Sequence, residues 1–387
     1  VKFDVVVVGA GLVGTCFARA ARGLATALVA HERWAPRAAP AGSFDARVYA
    51  LTPANVALLR ELKVWQGIPA ERVTPVHAMR VYGDDGASVL EFDAYRAGVP
   101  ELAWIVEDGP LQDSLWRSLE ARDALEIVAP ADCERVERAE GQAVVRLRGG
   151  RVLQAKLVVG ADGARSFVRE QAGIPITERP YGQTALVANF ACERPHQNFA
   201  YQWFQGGPVL ALLPLSGSHV SMVWSLPEAE ANRVLALGAA ELCREVEAAS
   251  RRALGELTLV TPPRGFALRR ISARRVVAER IALMGDAAHV VHPLAGQGAN
   301  LGFQDASALA RVLAAREPVR DAGDAHVLRR YERARAEPTL AMDLTVHGLY
   351  RLFQAQGRVV ARLRNAGLNL TDRLPVLKNV LMRQAMN

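Results

Sequence analysis

The sequence lacks any run approaching 18 apolar residues, so no membrane-crossing helix is expected. Its four cysteines (Cys16, Cys133, Cys192, Cys243) lie far apart with no CxxC pair, which argues against a zinc site, a redox dithiol or a disulfide framework and fits a reducing, cytosolic setting. Low-complexity tracts and solenoid-type repeats are missing. So is a secretory leader, because the first residues read as a strand running into a glycine loop. Excess positive charge is scarce outside one region. Of the net +7, the stretch Leu344 to Asn387 carries seven basic residues against one acid, Asp372. The remainder is close to neutral, which excludes a general nucleic-acid surface and leaves an anionic cofactor or a lipid surface as anionic partners. What is present is ordinary globular composition, 50% hydrophobic and 22% charged over 387 residues, enough for two or three compact units at roughly 150 residues each.

The chain opens with an apolar β-branched run, Phe3 to Val8, closed at once by Gly9-Ala10-Gly11-Leu12-Val13-Gly14. A helical stretch to Gly23 and a second apolar strand, Ala25 to Val29, complete a βαβ unit. In that setting G-x-G-x-x-G predicts dinucleotide binding. Gly9 permits the tight turn, Gly11 lets a diphosphate reach the backbone, and Gly14 lets the helix approach the sheet. The helix N-terminus then offers unpaired N–H groups to the anion. The position where a carboxylate normally ends the second strand holds Ala30. Glu32, two residues on and on the same side of an extended chain, is the expected ribose ligand.

Two further glycine loops follow apolar strands. Gly160-Ala161-Asp162-Gly163-Ala164-Arg165-Ser166 comes after Leu157 to Val159, with a hairpin or meander leading in from Val136 and a helix over Ser166 to Ala172. Gly285-Asp286-Ala287-Ala288-His289 comes after Ile281 to Met284 and runs through Pro293 to Gly302 into a helix from Ala299 to Ala315. Between them, Ile174 to Arg264 turns β-rich, with short strands at Ala185 to Phe190, Ala200 to Phe204, Val209 to Leu213 and His219 to Trp224, and one helix over Glu228 to Arg251. Taken singly, the glycine loops could be turns, with Asp162 as an Asx-turn residue. His289 and His292 are three apart without a carboxylate or thiol cluster, so no metal is expected there and positioned loop histidines are.

In this order the three loops resemble those of the flavoprotein monooxygenases of the para-hydroxybenzoate hydroxylase fold, and Asp45 to Leu51 with Gly285 to Gly302 resembles the ubiquinone-biosynthesis hydroxylase branch. The resemblance implies an α/β fold, in which a Rossmann-like FAD-binding domain (1–75, 100–175 and 270–340) is built from separated segments. A β-sheet substrate domain (76–99 and 176–269) is inserted into it, and a basic helical C-terminal region (341–387) follows. It implies that Arg47 and Gln112 contact the diphosphate or ribose side of FAD. Asp162 and Gly163 would serve FAD and the reduced nicotinamide, Asp286 would bind the ribityl chain, and Gly285 is a further cofactor-binding residue. Pro293, Gly296, Gln297 and Gly298 would lie along the isoalloxazine, with Asn300 as a polar contact to the ring. No side-chain acid or base is assigned: Pro293, Gly296 and Gly298 act as a flavin-facing loop. The single G-x-G-x-x-G fits NADPH or NADH binding transiently over the FAD domain, rather than in a nicotinamide domain of its own.

The implied activity is hydroxylation of an aromatic ring, by NAD(P)H reduction and a flavin C4a-hydroperoxide formed with O2. The expected substrate is a polyprenylated phenol of ubiquinone biosynthesis. Small soluble phenols, a non-catalytic FAD-binding scaffold subunit of a biosynthetic complex, and a membrane-surface flavin reductase acting on isoprenoid double bonds are the alternatives. The substrate is expected between the β-sheet, at Tyr201, Trp203, Leu213 and Pro214, and the loop at Pro293. Asp108 stands where the family often has Asn, which puts a polar contact there in question. In the tail, Leu349, Leu352, Phe353, Val359, Val360 and Leu363 recur at helical spacing, flanked by Arg351, Arg358, Arg362 and Arg364. That pattern suits either packing on the domain or peripheral contact with the inner face of a membrane.

Overall fold

The computed structural model describes residues 2–36, 42–85, 88–292 and 298–354. Pro293, Gly296 and Gln297, and the chain from 355 to 387, lie outside the described residues.

Alternation explains why the first strand, Lys2–Val8, has so little polarity. Val5 and Val7 pack into a core on one face of the sheet, Val6 and Val8 into a second core on the other. From Val5 to Val8 the strand is covered on both faces, which leaves no place there for a polar side chain. It pairs in parallel with Thr26–Val29 and with Val152–Gly160. Leu125–Val128 and Ile281–Leu283 extend the sheet outward, also in parallel. Helices Leu12–Ala20 and Gly298–Ala314 and the start of Ala325–Gln354 cover one face through Phe17, Phe303 and Tyr331. The meander Cys133–Ala139 and Gln142–Leu147, with helix Phe167–Gln171, closes the other.

The second sheet has eight strands, with Val89–Asp93 and Ala78–Tyr82 at one edge and Leu257–Ala273 and His289–Val290 at the other. His289–Val290 belongs to the third glycine loop, and its pairing with Ile271 and Ser272 stitches that loop to the second sheet. Side chains alternate here too. Leu186, Ala188, Leu212, Met222 and Trp224 enter a core with helices Glu228–Leu235 and Ala239–Ala249, while Val187, Ala211, Leu213 and Val223 face a cavity. The single helix expected over Glu228 to Arg251 is two, because Gly238 interrupts it; its N–H, 3.3 Å from Glu241 Oε2, starts the second. A three-stranded sheet of Val48–Leu51, Ala103–Glu107 and Val73–Val76 packs on the second sheet through Ile105, Val76, Ala200 and Leu215. Arg270 Nε donates to Asp343 Oδ1 at 2.7 Å, fastening the long helix to that sheet. No described helix is long and apolar enough to cross a membrane.

Candidate active site

The first two glycine loops touch. A Cβ on Gly9 (φ +103°) would lie 2.3 Å from the Ala161 carbonyl oxygen, and one on Gly14 would lie 1.9 Å from the Gly9 carbonyl oxygen. Both glycines are needed for packing before any ligand is considered. Gly11 is different: its φ is −72°, and a Cβ there would meet nothing within 4 Å. The helix it opens has no side-chain cap and no acid in its first turn. Its free N–H groups and positive dipole end therefore face an open cradle, which suits an anion. Gln112, on helix Asp108–Leu119, donates from Nε2 to the Ala10 carbonyl oxygen at 2.8 Å, while its buried Oε1 has no partner among the described residues. An orphan acceptor beside a glycine turn fits a ligand hydroxyl. The residues present therefore fit FAD at this end.

The ribose position is less regular. The second strand ends at Val29 and residues 31 and 32 form a bend, so the two-residue alternation that aligned Glu32 with Ala30 does not extend to it. Glu32 is exposed just past the strand end, and His31 pairs with Asp132 at 2.6 Å.

In the second loop both Asp162 oxygens are engaged locally, accepting from Ser166 Oγ at 2.5 Å and from the Val168 N–H at 3.0 Å. The carboxylate thus orders the start of helix Phe167–Gln171, and Gly163 beside it (φ +82°) leaves open space. Arg169 joins the second loop to the third, donating to the Ala164 and Ala287 carbonyl oxygens, each at 2.9 Å.

The third loop is held from behind by a buried ionic network that no sequence motif announces. Asp305 Oδ2 accepts from the Gly285 N–H at 2.9 Å and from His289 Nε2 at 2.7 Å, and Oδ1 accepts from Arg335 Nε at 2.5 Å. Burial alone would favour a neutral imidazole, yet the Asp305 charge and hydrogen bond outweigh it and raise the His289 pKa. The same partners hold the Asp305 carboxyl below its ordinary value despite burial. His292 is buried against Gln183 and lies edge-on to Tyr181, and desolvation pulls its pKa down to about 4. Among the described residues no group of three His, Cys, Asp or Glu side chains is placed to hold a metal.

Asp286 points the other way, into the cavity. Its carboxylate is reachable through the cleft yet walled by protein, and that desolvation raises its pKa against the opposing charge of Arg47. Arg47 lies over the Tyr49 ring at 5.5 Å, and Tyr49 OH donates to Asp108 Oδ1 at 2.7 Å. Asp108 therefore does make a specific polar contact, to the chain itself. Asp45 Oδ2 accepts from the Gly109 N–H at 2.6 Å and so caps the helix that carries Gln112.

Asn300, expected at the flavin ring, is fully buried. Its Oδ1 accepts from the Thr52 N–H and from Asn55 Nδ2, and its Nδ2 donates to the Ala50 carbonyl oxygen at 2.8 Å. These bonds fasten helix Gly298–Ala314 to the three-stranded sheet. Gly298 is the first residue of that helix, and a Cβ there would meet open space.

The cavity measures about 430 Å³ and is bounded by the second sheet, by Val48 and Ala50, and by Asp286, Val290, Gly298 and Ala299 of the third loop. Leu213 lines it as expected. Trp203 does not, because its strand turns that side chain to the opposite face. There it is 1% exposed and stacked on Tyr82 and Tyr201 at 5.4 and 5.7 Å. Tyr201 borders the cavity while its ring stays in that stack, and Pro214 is buried away from it. The cavity-facing side chains are the alternate set, Ala200, Gln202, Ala211, Ser221 and Val223. A one-residue displacement moves a strand residue to the other face, and small residues give no aromatic signal to follow.

A family-wide sequence profile described as an FAD binding domain matches residues 2–343. The chain is 33% identical over 386 residues to the 3-demethoxyubiquinol 3-hydroxylase of Escherichia coli, covering 99% of this chain and 98% of that protein. It is 35% identical to the ubiquinone hydroxylase UbiL of Rhodospirillum rubrum, covering 99% of this chain and 89% of that one. Among solved structures it is similar to PqsL of Pseudomonas aeruginosa, a probable FAD-dependent monooxygenase, with a TM-score of 0.78 and 26% identity over 95% of this chain and 99% of that one.

Proposed function

The chain belongs to the FAD-binding hydroxylases of ubiquinone biosynthesis, and on that premise we propose that it adds one hydroxyl group to the ring of a polyprenylated phenol. The balanced reaction takes the phenol, O2, NAD(P)H and a proton to the hydroxylated phenol, NAD(P)+ and water. Bound FAD supplies the electron transfer and oxygen activation. The residues of this chain supply position. Gly11 and the N-terminus of helix Leu12–Ala20 would receive the diphosphate, with Gln112 and Arg47 beside it and Glu32 at the ribose. Asp286 and the Gly285 turn would hold the ribityl hydroxyls, and Asp162 and Gly163 would border both FAD and the passing nicotinamide. Pro293, Gly296, Gln297 and Gly298 would run along the ring, where the dipole of helix Gly298–Ala314 favours negative charge. We assign 1–75, 100–175 and 270–340 to this cofactor unit, and 76–99 with 176–269 to the substrate unit, a division that sheet membership supports except at 270–273 and 289–290, which pair into the second sheet.

The observation that carries the reading is the cavity. It joins an apolar sheet face to the loop carrying Asp286 and Gly298, and its lining is mostly aliphatic. An aromatic ring fits there out of water, where activated oxygen is protected from side reactions. The test is 18O2 incorporation into a 2-prenylphenol by the FAD-loaded protein with NADPH or NADH. One labelled oxygen in the product is expected; hydrogen peroxide alone, with unaltered phenol, refutes hydroxylation. The basic region 341–387 extends the proposal to peripheral delivery at an anionic lipid surface, where each basic residue near the lipid adds on the order of 1 kcal/mol. Salt-insensitive failure to float with anionic liposomes would remove that part.

A further inference from the structure

On the sheet side of the cavity, two buried polar residues are opposed across neighbouring strands. Asn189 and Ser221 are direct partners in the antiparallel pair, and each is 0% exposed. Asn189 Nδ2 donates to the Asp45 carbonyl oxygen at 2.8 Å, to Thr261 Oγ1 at 3.0 Å and toward the Phe44 carbonyl oxygen at 3.4 Å. Carbonyl oxygens only accept, so the amide cannot be turned round and Oδ1 is the atom left over. That Oδ1 has no partner among the described residues, and neither has Ser221 Oγ, although Ser221 lines the cavity. The two atoms do not bond each other, and two unpaired buried polar atoms on opposed residues are costly unless something completes them.

We propose that Ser221 accepts the hydrogen bond of the substrate's phenolic hydroxyl, and that Asn189 is the positioning residue that directs it. A serine hydroxyl has one proton and two lone pairs. Directly opposed residues of an antiparallel pair bring their Cβ atoms to about 5 Å, so rotation about the Ser221 Cα–Cβ bond as substrate enters can turn its proton to the Asn189 Oδ1, to which it is not bonded in this structure. Its lone pairs are then the part offered to the cavity, which selects a donor. A phenol satisfies that requirement and an aryl methyl ether does not. Accepting from the phenol also pushes electron density into the ring, which helps a ring that must be attacked by an electrophilic oxygen. This assignment rests on the phenol-hydroxylase reading above.

The test compares a 2-prenylphenol with its methyl ether, each titrated into the FAD-loaded protein and followed by the flavin spectrum. The native protein should prefer the phenol by about fivefold to tenfold, the worth of one neutral hydrogen bond. Ser221→Ala should weaken the phenol alone and abolish the preference, Ser221→Cys should fall between, and FAD affinity should be unchanged in both. A Ser221→Ala variant that keeps the preference, or weakens both ligands equally, overturns the assignment, as does a native protein that binds neither. A native protein that prefers the phenol yet converts none with NAD(P)H and O2 overturns the hydroxylase reading and leaves the Ser221 site standing.

Discussion

Gly11 and Gly14 are three residues apart in one motif, yet they sit in opposite surroundings, and valine at one and alanine at the other can separate cofactor binding from packing. At Gly14 a methyl group would sit 1.9 Å from the Gly9 carbonyl oxygen, a backbone atom that no side-chain rotation can clear. Helix propensity would gain about 1 kcal/mol from the change to Ala. Overpacking costs about 1–3 kcal/mol where a core can adjust and more where backbone meets backbone, so Gly14→Ala should destabilise the apoprotein by about 2 kcal/mol. Gly11 has φ −72° and open space, so Gly11→Val should cost the apoprotein no more than a weakened helix cap, under about 1 kcal/mol. Its side chain would instead occupy the cradle and displace the diphosphate from the helix N–H groups. Losing two charged hydrogen bonds at about 1.5–3 kcal/mol each predicts at least a hundredfold loss of FAD affinity. The measurements are apoprotein melting by circular dichroism and FAD titration by fluorescence quenching, on all three proteins. Normal flavin occupancy in Gly11→Val would place the diphosphate elsewhere. An apoprotein as unstable as Gly14→Ala would show that Gly11 serves packing as well.

Removing the carboxylate behind the third loop, Asp305→Ala, leaves Arg335 and His289 buried without their anion and should cost about 3–5 kcal/mol in thermal or urea unfolding. The pH signature follows from opposite shifts. His289, raised above its ordinary 6.5, contributes fully below that pH and loses its contribution as pH climbs through the raised value. Asp305, depressed below 3.8, contributes above that pH and fails only in stronger acid. The stability gap to the variant should therefore be widest between about pH 4 and 6.5 and shrink toward alkaline pH; a gap that widens there contradicts the network. Asp286→Ala, at a partly desolvated carboxylate facing the cavity, should weaken FAD by about 1.5–3 kcal/mol, and an unchanged dissociation constant removes Asp286 from the site.

The parts of this molecule that were legible in the sequence are those where one residue type is demanded by backbone geometry. Gly9, with its left-handed φ, and the valines of Lys2–Val8, buried on two faces, announce a strand and a turn at once. Side-chain networks were not legible, because they join residues far apart in the chain. Asp305 meets Gly285, His289 and Arg335 from the middle of a helix that reads as amphipathic, and nothing local marks it. The cavity wall was misread at Trp203 for a related reason. Aromatics attract attention, while the residues that shape the cavity are Ala185, Ala200, Ala211 and Ser221, whose smallness is what leaves room.

The described part of the third loop is anchored from several directions. The Gly285 N–H is tied to helix Gly298–Ala314 through Asp305, the Ala287 carbonyl to the second loop through Arg169, and His289 to the second sheet through Ser272. Asn300 then fixes the helix that leaves the loop to the strand carrying Ala50, which is itself a cavity wall. The anchors come from helices Gly298–Ala314 and Phe167–Gln171, from the second sheet and from the three-stranded sheet, so elements that hold this loop also wall the cavity. That sharing accounts for why buried, fully paired polar groups stand behind the loop, where apolar packing would give comparable stability and less control over position. On the proposed reading it also divides the labour of the chain: the glycine turns would admit the cofactor, the second sheet would admit the ring, and the buried carboxylate between them would hold the two at a fixed separation.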